Sequence, residues 1–541
     1  MKRIIAFLFC SILTVGVSLN AANLYLVGNN SSAWTTSVVT GYTVCVVDLS
    51  NSGTNGTTAV SLTQWLNDRN APTPTYLIGG NAGTSFVTSD QVWIAKGTYN
   101  VAIAWTVLTG TGSAVPAYIY GGFAGNETSV LDRIKGTNVW DFTNETIVNS
   151  NTSTTGVITA GGDRNNTLDG ITFTGGVTIA AIATRGGMFV QNCKFTANTA
   201  GALSYYTTTA SKNASCTNCY FYNNSISGSL NAASIYVNNG SSGGTYSISN
   251  CFFESNSCSS TASGASAGIK SQGTGTTNIT SSIFKNNSAT AGNSSAVSLT
   301  SLTSYLTNCL IYGASLGSKP ALYLTIGNVT NCTLVNNLGG AAYMNQIAAA
   351  GNIKIINTVF WGADGSTTAG SGFIGTIANC LGTITNCAYN GLAANFISTP
   401  TGTVTLTTAS TGVFTDPTNN IWTLMTGSPL IDTGTSTGSP ANDLIGTSRA
   451  KGAGFDIGAY EFIPDLGTGV NTTSKNDFSC FASAQSVQLR GININDEVIV
   501  FSVSGLKIKS VITNSALVSI PLSKGIYLIK VADIVKKVVV N

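Results

Sequence analysis

The chain of 541 residues has no histidine. That removes the side chain most often used as a general base near neutral pH, and the commonest zinc ligand. A Ser–His–Asp triad is therefore excluded. Charge is scarce as well, at 8% of residues against roughly 25% in an ordinary soluble protein. The net charge of +3 is too weak a field to argue for nucleic acid or an acidic polymer as partner. Beyond the N-terminus no apolar run is long enough to span a bilayer. Little of the remainder shows the 3.6-residue period of an amphipathic helix.

What is present is Gly, Ser, Thr and Asn in quantity, arranged around a recurring phrase. The length exceeds one ordinary globular core, so several domains or one elongated array are expected. The N-terminus, MKRIIAFLFCSILTVGVSLNAAN, has a basic start at Lys2 and Arg3. An apolar stretch from Ile4 to Val17 follows, then the small residues Ala21 and Ala22. Residues 1–21 read as a secretory signal peptide, outside the fold. The apolar run is shorter than the ~20 residues that a membrane anchor needs.

The phrase occurs as QNCKFTANT, TNCYFYNNS, SNCFFESNS, TSSIFKNNS, TNCLIYGAS, TNCTLVNNL, INTVFWGAD and TNCAYNGLA. Its second position falls at 192, 218, 250, 281, 308, 331, 357 and 386. An earlier, looser copy is DGITFTGG from Asp169. A period of this size indicates a solenoid, propeller or array. A short strand ending in Asn or Gly, with no helix between copies, predicts an all-β protein. The expected fold is a right-handed parallel β-helix with about three strands per coil, coils stacking at ~4.8 Å.

Strand parity gives the facing. Cys193, Cys219, Cys251, Cys309, Cys332 and Cys387 share one side with the large residues two positions later. Both files are expected inside, the first as a ladder of small buried groups in which Ser or Thr can replace cysteine. Twelve cysteines in an exported chain invite a disulfide reading. In-register stacking points the Cβ vectors the same way, however, so free thiols are expected. Asn223, Asn224, Asn286, Asn287, Asn336 and Asn337 are expected at sharp turns, since asparagine tolerates the left-handed backbone. Stacked amides can also bond along the axis. The outward positions include Tyr220, Tyr222, Phe252, Ile283, Leu310, Tyr312 and Trp361. They predict a partly aromatic strip, of which Tyr220, Tyr222, Phe252, Tyr312 and Trp361 are the candidate ligand contacts. An inserted loop, such as the one before Ser249, is the alternative fate of that strip, as its cover.

Two further stretches carry a resemblance. VWIAKGTYN from Val92 and YIYGGFAGNETS from Tyr118, with Arg133 downstream, look like the N-terminal opening of β-helix proteins related to polymorphic outer-membrane proteins. SPLIDTG from Ser428, DLIGTSRAKG from Asp443 and DIGAYEF from Asp456 resemble the module that closes such helices, often called a choice-of-anchor domain. The tail, with PLSKGIYLIKV and a final KKVVVN, reads as alternating strands of a small antiparallel sandwich. It is similar to the C-terminal sorting domain of the Por-type (type IX) secretion system, with Gly505, Gly525, Tyr527 and Lys536 as the matching signal residues. Its opening around Phe478 departs from the usual pattern. The resemblance implies passage across the outer membrane of a Gram-negative cell, removal of the tail, and release or attachment at the surface. The expected division is 1–21 signal peptide, 22–138 opening coils, 139–427 repeats, 428–462 closing module, 463–475 linker and 476–541 sorting domain.

Related β-helices include polysaccharide lyases and hydrolases, whose sites need clustered carboxylates, with calcium or a basic residue in the lyases. Between residues 150 and 400 the acids are Asp163, Asp169, Glu254 and Asp364, at different offsets. Glu254 and Lys285 share an outward offset on neighbouring coils, which predicts a surface ion pair. Asp163 with Arg164 reads as a turn pair, and Asp432 and Asp456 as turn and cap residues. Cys216 and Cys219 form a CxxC without the helix that redox chemistry uses. The expectation is a protein that is no enzyme, without cofactor, metal or catalytic residues. It would be secreted or at the surface of the outer membrane, acting as an adhesin or glycan-binding scaffold. Its partners would be the secretion machinery and a polysaccharide or cell-surface glycan. A lyase or hydrolase of the pectin-lyase-like fold and a structural surface-layer component are the alternatives.

Overall fold

The computed structural model describes residues 24–28, 43–48, 60–61, 91–100, 105–107, 118–150, 158–160, 166–177, 182–184, 187–206, 213–239, 243–315, 319–337, 342–344, 353–361, 383–389, 401–406, 412–463, 478–483, 486–490, 492, 496–502, 506–513, 517–531 and 534–540. The signal peptide, Asp163, Arg164, Asp364, Gly505 and most of the linker lie outside them. Two compact units divide at Pro464/Asp465.

The first unit is a parallel β-helix. Twelve short strands, from Gly97–Asn100 to Val404–Thr405, stack coil on coil in one parallel sheet. A larger parallel sheet forms the other walls. Its strands Ile269–Thr280 and Val297–Thr307 run across two of them, with a register shift at Gly273/Thr276. A third, small sheet joins Ser225–Ile226, Ser257–Cys258 and Ser288–Ala289.

The recurring phrase makes the corner between the large sheet and the twelve-stranded one. Asn192, Asn218, Asn250, Asn308, Asn331, Asn357 and Asn386 all have φ between 48° and 56°, the left-handed region; Gly170 takes the same place in the earlier copy. That conformation turns the chain within one residue. The next residue points inward, and the one two further on does so as well. Phe173, Phe195, Phe221, Phe253 and Phe284 therefore stack in register, with ring centroids 4.5 to 5.3 Å apart. Each is fully buried, which contributes about 1.5–3 kcal/mol per ring.

The cysteine file lies inside, and all six of its members are buried free thiols. Its chemistry is more than volume. Each Sγ lies 3.2–3.4 Å from the carbonyl two residues earlier, across the left-handed Asn. The hydroxyls of Ser282 and Thr358 donate to the equivalent carbonyls at 2.9 Å. Cys, Ser and Thr each give that carbonyl a second donor beside the backbone amide of the preceding coil, so they interchange there, while the earlier copy places Ile171 at the same point.

The asparagine pairs divide into two kinds. Asn223, Asn286 and Asn336 are left-handed turn residues. Asn224, Asn287 and Asn337 are buried instead. Asn198, Asn224, Asn256 and Asn287 form an internal amide ladder that ends at Ala314 of the next coil, whose amide donates to Asn337 at 3.3 Å. Nδ2 of Asn198, Asn224 and Asn256 donates to Oδ1 of the next coil's Asn at 2.8–3.0 Å. It also donates to the preceding coil's Phe carbonyl at 2.9–3.3 Å.

The opening motif locks the first coils. Gly122 has φ +89°, and a Cβ there would meet the Phe142 ring at 2.6 Å. The Arg133 guanidinium lies 4.8 Å from the Phe142 ring and 5.3 Å from that of Tyr120. It pairs with Asp169 at 3.2 Å and donates to the Gly121 carbonyl at 2.9 Å. The second unit is an antiparallel sandwich of a three-stranded and a four-stranded sheet around Phe478, Val487, Val498, Ile529 and Val540.

Candidate functional site

The outward face of the twelve-stranded sheet carries two columns of side chains. One runs Thr172, Lys194, Tyr220, Phe252, Ile283, Leu310. The other runs Asn100, Asn149, Thr174, Thr196, Tyr222, Glu254, Lys285, Tyr312, Val335, Trp361. Register alone brings Glu254 beside Lys285, because the two strands pair without a shift.

Two segments from the ends of the unit fold over this face. From the N-terminal side, Trp140 stacks on Tyr220 and Phe252, with centroids 5.5 and 6.2 Å apart. Asp141 and Glu145 of the same segment pair with Lys194 at 3.6 and 2.5 Å. From the C-terminal side, residues 413–462 cover the strip's far half. Trp422 and Phe414 pack on Trp361, and Trp422 on Tyr312. Trp361 is 2% exposed and Tyr312 9%, and Leu310 is buried with them. This corrects the expected strip. Trp361 and Tyr312 are core residues, covered by Phe414 and Trp422 just ahead of the closing module and not by the loop before Ser249. The signal was present in Trp422 and Phe414, but nothing in their local spacing says which strand they cover.

Between the two covers lies an open window. Tyr222 is 43% exposed there, beside half-buried Tyr220 and Phe252. The Tyr220 hydroxyl donates to Glu254 at 2.6 Å, and Lys285 pairs with the same carboxylate at 2.7 Å. Burial pushes the Glu254 carboxyl up, but the hydrogen bonds from Lys285 and Tyr220 outweigh it and hold it below the usual range. The bond to Glu254 raises Lys285. Burial, then the hydrogen bond to Glu254, raises the Tyr220 phenol. Both charges are thus fixed and paired, and Lys285 is poorly disposed to take up a proton. The arrangement can stack a ring on Tyr222 and offer hydrogen bonds around it.

Four other described acids are tied into the fold's own hydrogen bonds. Asp169 accepts from Arg133, Gln191 and Asn192. Asp456 accepts the Asp432 and Phe462 amides, and burial raises it to about 6. Asp432 itself is left-handed, with φ 58°, and accepts the Gly454 amide. Arg449 and Glu461 form a fully buried pair at 3.1 Å. Cys216 faces the core, its Sγ 3.8 Å from that of Cys251. Burial holds Cys216 and Cys219 well above the usual thiol range. Among the described residues no three Cys, Asp or Glu side chains converge to hold a metal ion. In the tail, the Tyr527 hydroxyl donates to the Ser523 carbonyl at 2.8 Å, and Lys536 Nζ lies 5.4 Å from the Phe478 ring. Gly525 opens the strand Gly525–Val531.

One buried residue escaped the sequence reading. Lys270 faces outward from the larger sheet under the segment 258–266, its Nζ bonded to Asn231 Oδ1 and the Ser263 carbonyl, each at 2.6 Å. Burial lowers it to about 8. Only its tertiary cover distinguishes it from the other lysines.

No family model matches the chain, and no curated protein sequence matches it. A solved structure titled "Crystal structure of pectate lyase Pel9A" is similar at 13% identity and a TM-score of 0.40, covering 72% of this chain and 94% of that one. It agrees with the β-helix seen directly in the strand pairing. It does correct one expectation: a chain with this fold was read as no enzyme, and the structure it resembles is titled an enzyme. The resemblances to polymorphic outer-membrane repeats and to a type IX sorting domain rest on sequence alone.

Proposed function

We propose that the protein is an exported β-helix that binds glycans at the cell surface through the window at Tyr222, in the manner of an adhesin. The observation that carries this reading is the half-exposed Tyr222 beside the Tyr220–Glu254–Lys285 chain of hydrogen bonds, left open between two covers. An aromatic face bordered by fixed polar groups suits a sugar ring, which has an apolar face and a hydroxyl rim. Export is supported by the signal-like residues 1–21, and type IX delivery by the sorting-like tail; surface partners follow from both.

One experiment tests it. The full chain is screened against plant, bacterial and host polysaccharides, with binding and product release read in parallel. Binding lost in Tyr222→Ala is the expected result. Failure to bind any glycan overturns the proposal. Release of unsaturated or reducing products overturns the reading of a binder alone.

A further inference from the structure

Resting on that reading, we infer that the ligand is a neutral polysaccharide lying along the helix axis, on a track from Asn100 to Lys285 that is blocked at Trp422. The second outward column supplies the track: Asn100, Asn149, Thr174, Thr196, Tyr222, Glu254 and Lys285 on seven successive strands. At strand spacing these span about 29 Å. Asn100, Asn149, Thr174 and Thr196 are half-buried, short and uncharged, so they form a floor of hydroxyls and amides beside one raised ring, Tyr222. The next residue in the column, Tyr312, lies beneath Trp422, with ring centroids 6.0 Å apart. A chain on the track therefore meets a wall there.

Charge decides the ligand class. An acidic polysaccharide needs cations, or a metal ion held by carboxylates. Among the described residues of this face, Lys194 is held by Asp141 and Glu145, and Lys285 by Glu254. Among the described residues of the two outward columns no cation is left over for a uronate, and the one carboxylate on the track is matched. A ligand presenting only hydroxyls would lose no unmatched charge to desolvation on binding.

The test is affinity electrophoresis of the full chain in gels containing neutral glucan, xylan or mannan, and in gels containing polygalacturonate, with and without calcium. The expected result is retardation by at least one neutral polymer and none by polygalacturonate. Tyr222→Ala should lose roughly tenfold in affinity, the equivalent of one stacked ring. Glu254→Gln frees Lys285 and should introduce retardation by polygalacturonate, sensitive to salt. Thermal melting of both variants checks that they fold. Wild-type retardation by polygalacturonate alone overturns the inference while leaving glycan binding intact. Retardation by no polymer overturns the glycan reading itself. Neutral binding unchanged in Tyr222→Ala removes the ligand from this track.

Discussion

The same outward column is solvent-facing at Tyr222 and core at Trp361, five strands further along the sheet. The two residues occupy equivalent places in equivalent phrases. What differs is what lies above them. The segment ahead of the closing module carries Trp422 and Phe414 onto Trp361, whereas Trp140 stacks on Tyr220 and Phe252 and leaves Tyr222 largely exposed. A repeat fixes which way a side chain points, and a non-repeating segment decides whether it becomes a surface or an interior.

Substitutions along the column sharpen that contrast. The largest effect is expected for Trp361→Ala, which removes a ring packed against two others; it should cost about 3–5 kcal/mol in a chemical-denaturation measurement. If it costs nothing, the far half of the strip is not core. Next comes Cys219, where shape and donor separate. Cys219→Val keeps the volume but removes the second donor to the Thr217 carbonyl, which keeps the Asn192 amide, and should cost about 0.5–1.5 kcal/mol. Cys219→Ser, which keeps the donor, should lose much less; equal losses would refute the donor role. A smaller, pH-dependent effect concerns Lys270. Its folded pKa lies below the unfolded one, so the unfolded chain binds more protons between about 8 and 10.5, and stability should rise with pH across that window. Thermal melts at stepped pH read the slope, which Lys270→Met should flatten. The smallest effect is expected at Tyr222. Tyr222→Ala should change stability by no more than about 0.5 kcal/mol, since the ring is largely in solvent. A larger loss would mean that the window is closed.

Much of the fold was legible. The spacing of the phrase shows the coil length, and the alternation of Cys and Phe about Lys194 or Tyr220 shows which side is inside. The left-handed Asn at the second position is readable because few other residues accept it. The cysteine ladder was legible in place but not in its bonding: a volume argument permits Ser and Thr, and only the structure shows the carbonyl two residues back to which all three donate. Within the site, Glu254 beside Lys285 follows from register. Trp140 over Tyr220 and Trp422 over Trp361 do not, because the partners lie 80 and 61 residues apart and in opposite directions along the chain. Lys270 was illegible for the same reason.

The closing module also runs along the row of left-handed asparagines. Asn386 donates to Thr433, Asn357 to Thr435, Asn331 to Asp456 and Asn308 to Asn442. One strap thus ties four successive coils. In a stacked array each coil would otherwise peel from its neighbour alone. A tensile load on this end of a tethered protein would be shared among those attachments and borne in shear, so the last coils should give way together, at higher force than unstrapped ones.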